Sequence, residues 1–416
     1  MRTRKYCCFF IMSFFLLTAN AVTLERENDG KYITVSGVVK DKSNKKTLPY
    51  ATISLVGNST ATMSNADGEF MLKVKEPIGN SRIEVSYVGY ENAYIHLDSK
   101  PQTVWLTPSD NMLDEILVRG REPRSLVEEA VRKIPSNYSL EPCALTGFYR
   151  ESVRKRKRYI NIAEAVINLD KSSYVDGVAN DKVRVLKGRR LVSPKLSDTL
   201  AVKLQGGPTS AIYLDIVKNP DLLLRGEILS FYDFHMEEAT VINDRPQYVV
   251  RFSPNRELPY ALYYGKLYID KERLSFTCAE FNLDLSDRNK AIRAILHKKP
   301  VGLRFKPVEV SYRVNYSDHE GKSYLSYLRY DILFKCDWRR KLFSTSCNVL
   351  SEMVVTDIQE VAPRIAPEEV FDKTDVLSDN VALFFDEDFW GSYNIIKPDE
   401  SLEDAVDKLK KQYDYD

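Results

Sequence analysis

Histidine is scarce in this 416-residue chain, and its four copies, His96, His235, His297 and His319, lie far apart. No H-E-x-x-H occurs, which excludes the zinc-peptidase helix that needs two histidines four residues apart. G-x-S-x-G, the P-loop and G-x-G-x-x-G are also missing, so neither a nucleophile elbow nor a nucleotide cradle is written in the chain. Six cysteines form no C-x-x-C, and a zinc ribbon or a thioredoxin-type site is not indicated. A charge excess is lacking too: 60 Lys+Arg stand against 59 Asp+Glu. That balance argues against a nucleic acid or another polyanion as partner of the whole chain. No residue is singled out as catalytic, cofactor-binding or metal-ligating, and no cofactor is expected. These absences favour a non-enzyme. Carboxylate pairs can always be picked from fifty-nine acids, so an unrecognised hydrolase stays as an alternative.

What the chain does have begins at its N-terminus. Arg2, Arg4 and Lys5 precede an apolar run from Cys7 to Leu17 and then Ala19-Asn20-Ala21. That is the three-part layout of a secretory signal peptide over 1–21, cleaved after Ala21. The run is short for a membrane span, and no later apolar run is long enough to span as a helix. Cleavage would leave 57 Lys+Arg against 59 Asp+Glu, a formal net charge of −2. Cys143, Cys278, Cys336 and Cys347 remain. In an exported chain they can oxidise, with three ways of pairing all four.

From Ser36 to Leu97 short apolar runs of near-alternate spacing are separated by turn residues. Gly37–Val39, Tyr50–Val56, Glu69–Val74, Arg82–Val88 and Tyr94–Leu97 read as strands of a small β-sandwich. Asp67-Gly68 is a turn signal. The series G-V-V-x-D, P-Y-A-T-I-x-L, S-N-A-D-G-E-F and V-S-Y-V-G-Y in this stretch resembles the carboxypeptidase-regulatory-like (transthyretin-like) domain. That module stands at the N-terminus of many TonB-dependent outer-membrane receptors, where it carries no catalytic residues. The resemblance implies an interaction module of a Gram-negative envelope. Met112–Val118 is similar to the L-D-E-V-V-V segment after the same domain in those receptors; a closing or linker strand is the plainer reading.

Further on, Ser125 and Glu128 form a capping-box pattern for a helix whose face is Leu126, Val127, Ala130, Val131 and Ile134, stopped by Pro135. Phe148–Val153 and Tyr159–Leu169 read as strands flanking the basic run Arg154–Arg158, either a phosphate contact or a solvated hairpin tip. Between Ser172 and Pro208 the alternation weakens. Gly206-Gly207 falls in a loop; a glycine pair can cradle a ligand, but a turn is the simpler account. Tyr232 to Asp357 is a run of antiparallel strands, clearest where Val308, Val310, Tyr312, Val314 and Tyr316 share one face. Asp287–His297 reads as a helix with Ile292, Ile295 and Leu296 inward. The tail is acidic, with Asp386-Glu387-Asp388 as a solvated turn or a hard-cation site and a final helix over Leu402–Gln412 capped by Ser401.

The expected fold is mainly β: a transthyretin-like sandwich at 31–119, an antiparallel sheet domain with a few helices at 124–360, and the tail at 361–416. The boundary falls near Gly120-Arg121-Glu122-Pro123. Tyr263–Glu272 and Ala279–Asp284 make the second region similar to the companion domain that follows this module in related envelope proteins. They also faintly resemble Lol-type lipoprotein carriers, which hold acyl chains in a half-open sheet. Three functions follow. The first is a binding or scaffold protein facing the periplasm or outer membrane, with an envelope protein as partner. The second is a carrier of lipid or another apolar ligand on the 230–357 sheet, and the third is the hydrolase. Oligomeric state is not legible.

Overall fold

A computed structural model describes residues 31–76, 81–109, 121–195, 202–204, 206–338, 344–360, 365–383 and 387–413. The signal peptide expected at 1–21 and the strand expected at Met112–Val118 lie outside the described residues.

The N-terminal sandwich holds seven strands: β1 (Tyr32–Asp41), β2 (Thr52–Leu55), β3 (Ala61–Met63), β4 (Glu69–Lys75), β5 (Arg82–Ser86), β6 (Ala93–His96) and β7 (Gln102–Leu106). They form two sheets, β4-β1-β7 and β3-β2-β5-β6. Strand β4 shows why. Phe70, Leu72 and Val74 alternate inward and are buried, and each such side chain contributes about 1.5–3 kcal/mol by leaving water. They meet Val35, Val39, Ile53, Ile83, Val85, Val104 and Leu106 in a core confined to the module. Gly68 turns β3 into β4 at φ +78°, where a Cβ would come within 2.9 Å of Thr47. The five strands read from sequence are present; β3 and β7 are additions.

The rest of the chain builds one eleven-stranded sheet. Its strands are β8 (Cys143–Lys155), β9 (Arg158–Lys171), β10 (Lys182–Val192), β12 (Tyr232–Ile242), β13 (Arg245–Pro254), β14 (Tyr263–Asp270), β15 (Phe276–Leu283), β17 (Leu303–His319), β18 (Lys322–Trp338), β19 (Thr345–Gln359) and β20 (Ala382–Leu383); β11 (Lys203–Leu204) and β16 (Leu296–Lys298) pair separately. The order is β12-β13-β14-β15-β17-β18-β19-β8-β9-β10-β20, antiparallel except for the β10–β20 edge pair. Asn243-Asp244 turns β12 into β13 with both residues at positive φ, the geometry that matches strand twist. The helices are α1 (Pro123–Arg132), α2 (Ile134–Asn137), α3 (Pro208–Ile212), α4 (Pro220–Leu223), α5 (Gly226–Leu229), α6 (Arg288–Ile295), α7 (Leu377–Asn380) and α8 (Glu400–Tyr413).

Three sequence expectations are corrected here. Helix α1 starts at Pro123, capped by Glu122, whose carboxylate accepts from the backbone N–H groups of Arg124 and Ser125. Ser125 therefore lies inside the first turn; proline at the first helical position was the better start signal. Pro135 does not stop the helical path either, because it sits in the first turn of α2, where its missing N–H costs nothing. In α8 the cap is Asp399, which accepts from Leu402 N at 2.7 Å, while Ser401 bonds back to Asp399.

The sheet buries both faces. One carries Leu145, Tyr149 and Val153 of β8 into a core closed by α1, α3–α6 and the loops between them. On the other, Phe148, Val166, Tyr327 and Val354 meet Met63 of the module and Trp390, Ile395 and Ile396 of the tail.

Candidate functional site

The face expected to hold an apolar ligand is filled by its own side chains. Phe281 stacks on Tyr312 at 5.0 Å between ring centroids, and Tyr312 on Tyr330 at 5.2 Å. Tyr263 packs edge-on against both Phe281 and Tyr312, and Ala291 and Ile295 of α6 are buried in the same core. The half-open sheet of the carrier reading is thus corrected on this face, which aromatics and α6 fill.

Two cavities have mixed polar and apolar walls. The larger, of about 620 Å³, lies between the β8–β9 hairpin tip and α8. Arg154, Lys157 and Lys408 bring positive charge to it, and Glu309, Asp331 and Asp404 negative. The basic run is the hairpin tip that the sequence suggested, with Arg156 at φ +59°. Acids from separate strands do meet here, but Asp331 is already held by Asn348 and Arg329.

The second cavity, of about 470 Å³, lies on the opposite face. Glu151 of β8 reaches it beside Gly206, Gly207 and Ser210, with Lys373 and Asp375 at the tail. Tyr149 OH donates to Glu151 Oε2 at 3.1 Å, and Gly207 N–H donates to the same oxygen at 3.2 Å. Gly207 holds φ +85°, where a Cβ would press on Phe371 at 3.2 Å. The glycine pair therefore shapes this wall as well as turning the chain. Desolvation pushes the Glu151 carboxyl above its ordinary range, and the two donated hydrogen bonds only partly offset it. Sequence reasoning did not single out Glu151; the neighbouring glycine pair was the one local signal.

Two further charge clusters are structural. Lys171 Nζ contacts Asp215 Oδ2 at 2.8 Å and Asp181 Oδ2 at 3.4 Å, and Lys218 Nζ contacts Asp181 Oδ1 at 3.3 Å, all four side chains fully buried. Tyr316 OH donates to the remaining Asp215 oxygen at 2.7 Å. Burial works against the charge on Lys171, but Asp215 and Asp181 outweigh it and raise its pKa. Across the sheet, Arg150 bonds Glu164 at 2.7 Å, Glu352 at 3.3 Å and the carbonyl of Ile396 at 2.7 Å. Arg189 holds the other Glu164 oxygen at 2.8 Å.

The remaining sequence candidates do not converge. His96, His235 and His297 are exposed on separate elements, and His319 lies against Tyr324. The four cysteines are free thiols. Cys347 stands opposite Phe334 and Cys336 opposite Thr345, so the register sets that pair diagonally. Of the acidic triplet, Asp386 lies outside the described residues. Among the described residues no three His, Cys, Asp or Glu gather as a metal-ligand set, and no helix is long and apolar enough to cross a membrane.

No curated protein matches this chain. Solved structures share local arrangement only. A putative outer membrane lipoprotein-sorting protein domain from Vibrio parahaemolyticus is 9% identical over 57% of this chain and 91% of its own, at a TM-score of 0.25. A DUF1329 family protein from Desulfovibrio piger is 9% identical over 57% and 93%, at 0.24. A putative membrane-associated protein of unknown function from Bacteroides fragilis is 10% identical over 79% and 98%, at 0.15. Residues 35–118 match the family model of the CarboxypepD_reg-like domain, so the N-terminal sandwich is a module of that kind.

Proposed function

We propose that the protein is an exported, non-enzymatic binding or scaffold component of the cell envelope, facing the periplasm or outer membrane. The observation that carries this reading is how the regulatory-like module is mounted. Its core is closed within itself, yet the tail fastens it to the large sheet. Asn394 exchanges two hydrogen bonds with the Lys73 backbone at 2.7 and 2.9 Å, and Thr62 bonds the Ile395 carbonyl at 3.0 Å. The next residue, Ile396, is the one held by Arg150 from the sheet. A module held this firmly presents its free surface in a fixed orientation, which suits recognition of a partner. Trp105 on β7 is 41% exposed, flanked by Lys40 and Lys45, and Tyr94 on β6 is 47% exposed. Exposed Trp and Tyr side chains are favoured anchors of protein interfaces.

The test is recovery of envelope proteins on the immobilised full chain. A specific envelope protein should be retained, and Trp105→Ala should lower its recovery with the melting temperature unchanged. Retention of nothing above background by the unaltered chain would refute the reading.

A further inference from the structure

We propose that the cavity beside Gly206-Gly207 binds a protonated amine, with the Glu151 carboxylate as its counter-charge. The carrying observation is a missing partner. Among the described residues six acids are buried: Glu164, Asp181, Asp215, Asp270 and Glu352 each face a basic side chain, Arg150, Lys218, Lys171, Arg245 and Arg150 respectively, and Asp41 instead has both oxygens held by donors from Ser43, Asn44 and Tyr90. Glu151 has no basic partner among the described residues, although its surroundings are desolvating enough to raise its pKa. A carboxylate in such a place is unfavourable unless a cation meets it.

The geometry leaves room for that cation. Both donors, Tyr149 OH and Gly207 N–H, fall on Oε2, and Oε1 accepts nothing among the described residues. The residue is half-buried rather than sealed, and the cavity it lines is about 470 Å³, the size of a small-molecule or peptide-end pocket. An ammonium supplies three donors and a full charge to an oxygen held in place by its neighbours. A neutral hydroxyl supplies one donor and leaves the charge unmet.

The other groups around Glu151 fit this polarity. Tyr149 on its own strand and Tyr330, across Ser351 on β18, are phenols held neutral by burial. From the elements packed over the cavity come Ser210, His297, Lys373 and Asp375. Asp375 adds a second negative charge, and Lys373 is exposed on its turn, free to swing into water. The amine can belong to a free small molecule or to the amino terminus of a peptide; the chemistry at Glu151 is the same.

Calorimetric titration of the full chain with cadaverine, with the diol of the same length and with triglycine amide tests the proposal. At least one amine should bind, and the diol should bind roughly tenfold or more weakly, as a charge-assisted contact is worth at least that factor. Binding of cadaverine alone assigns a free amine, and of triglycine amide alone a peptide terminus. Glu151→Gln should weaken the amine by roughly tenfold at pH 7. Ser210→Phe, which fills the cavity while leaving Glu151 in place, should also abolish binding. Amine binding should release a proton where free Glu151 is partly protonated, and should weaken as pH falls through that range. Equal affinity for amine and diol, no binding of either amine up to about 10 mM, or unchanged amine binding by Glu151→Gln would overturn it.

Discussion

Lys171, Asp181, Asp215 and Lys218 show how strongly single residues depend on one another in this interior. They tie the 172–181 loop and the segment after α3 to β9. Lys171→Met would leave Asp215 without its cation and Asp181 with Lys218 alone, and destabilisation of about 3–5 kcal/mol is expected. It should appear as a lower urea midpoint with an unchanged slope. Glu151 works in the opposite sense. Its folded pKa lies above the unfolded value, so its ionisation penalises the folded state once pH exceeds the ordinary carboxylate range, fully so above the folded pKa. Glu151→Gln should therefore melt no lower than the unaltered chain at pH 7, and the difference should shift toward the unaltered chain as pH drops toward 4. A variant that melts far lower at pH 7 would show that this carboxylate serves packing instead. The thiols give a third residue-scale expectation. Burial raises Cys143 to about 11 and Cys278 and Cys336 to about 12. Native protein at pH 8 should thus react slowly with Ellman's reagent, and unfolding should expose these thiols together. None of these roles was legible beforehand. Glu151 is one acid among fifty-nine, and only the register of β8 with β19 and the fold of the 206–213 loop set it apart.

At the scale of elements, legibility followed alternation. Strand β17 was readable because its inward positions are apolar and its outward ones polar, as the buried Val310, Tyr312, Val314 and Tyr316 bear out; Val308, placed on the same face by the sequence, is instead exposed where the register shifts between Pro307 and Glu309. Strand β10 was not, for two physical reasons. Lys182, Arg184, Lys187, Arg189 and Arg190 crowd it, and some of these cations serve the fold: Arg189 bonds Glu164 and Arg184 meets Glu369. A register shift between Val185 and Lys187 then breaks the period of two. Charge on β10 therefore looked like a loop while acting as a joint to β9 and the tail. The last helix was found, but its cap was assigned two residues late. Asp399→Ala should cost about 1 kcal/mol, and the loss should be local. The amides of Leu402 and Glu403 should exchange roughly fivefold faster, with the β-sheet core amides unchanged. If core exchange accelerates equally, α8 is part of one cooperative unit with the sheet.

For the whole molecule, the sequence showed a sandwich, a broad sheet and a tail, but not how they are joined. Such contacts arise between residues more than three hundred positions apart, as in Thr62 with Ile395 and Asn65 with Pro398, and no local pattern encodes them. The separate core of the module argues that residues 22–120 folded alone would give a cooperative, β-type thermal transition. A peptide that stays unfolded would place the boundary elsewhere. In the full chain the tail should couple the two bodies. A chain ending at residue 386 lacks Trp390, Asn394 and Ile396, and its melting trace should divide into two steps where the full chain shows one. A single step in the shortened chain would mean that direct contacts, such as Ser59 with Asp357 at 2.6 Å and Gly89 with Val241 at 2.8 Å, are sufficient.

The position of that fastening in the chain has a consequence for the order of events. Synthesis runs from the N-terminus, so the module can close early, while β8 must wait some two hundred residues for β19 to reach its free edge. Closure of such distant partners is slow. The strap through Asn394 and Ile396 arrives after every strand it crosses has been made. It can lock only onto a module and a sheet that are both already in place, and so a chain cut short, or folded in only one half, is left with its two bodies unfastened and the apolar patch of Phe148, Tyr327 and Val354 without its cover.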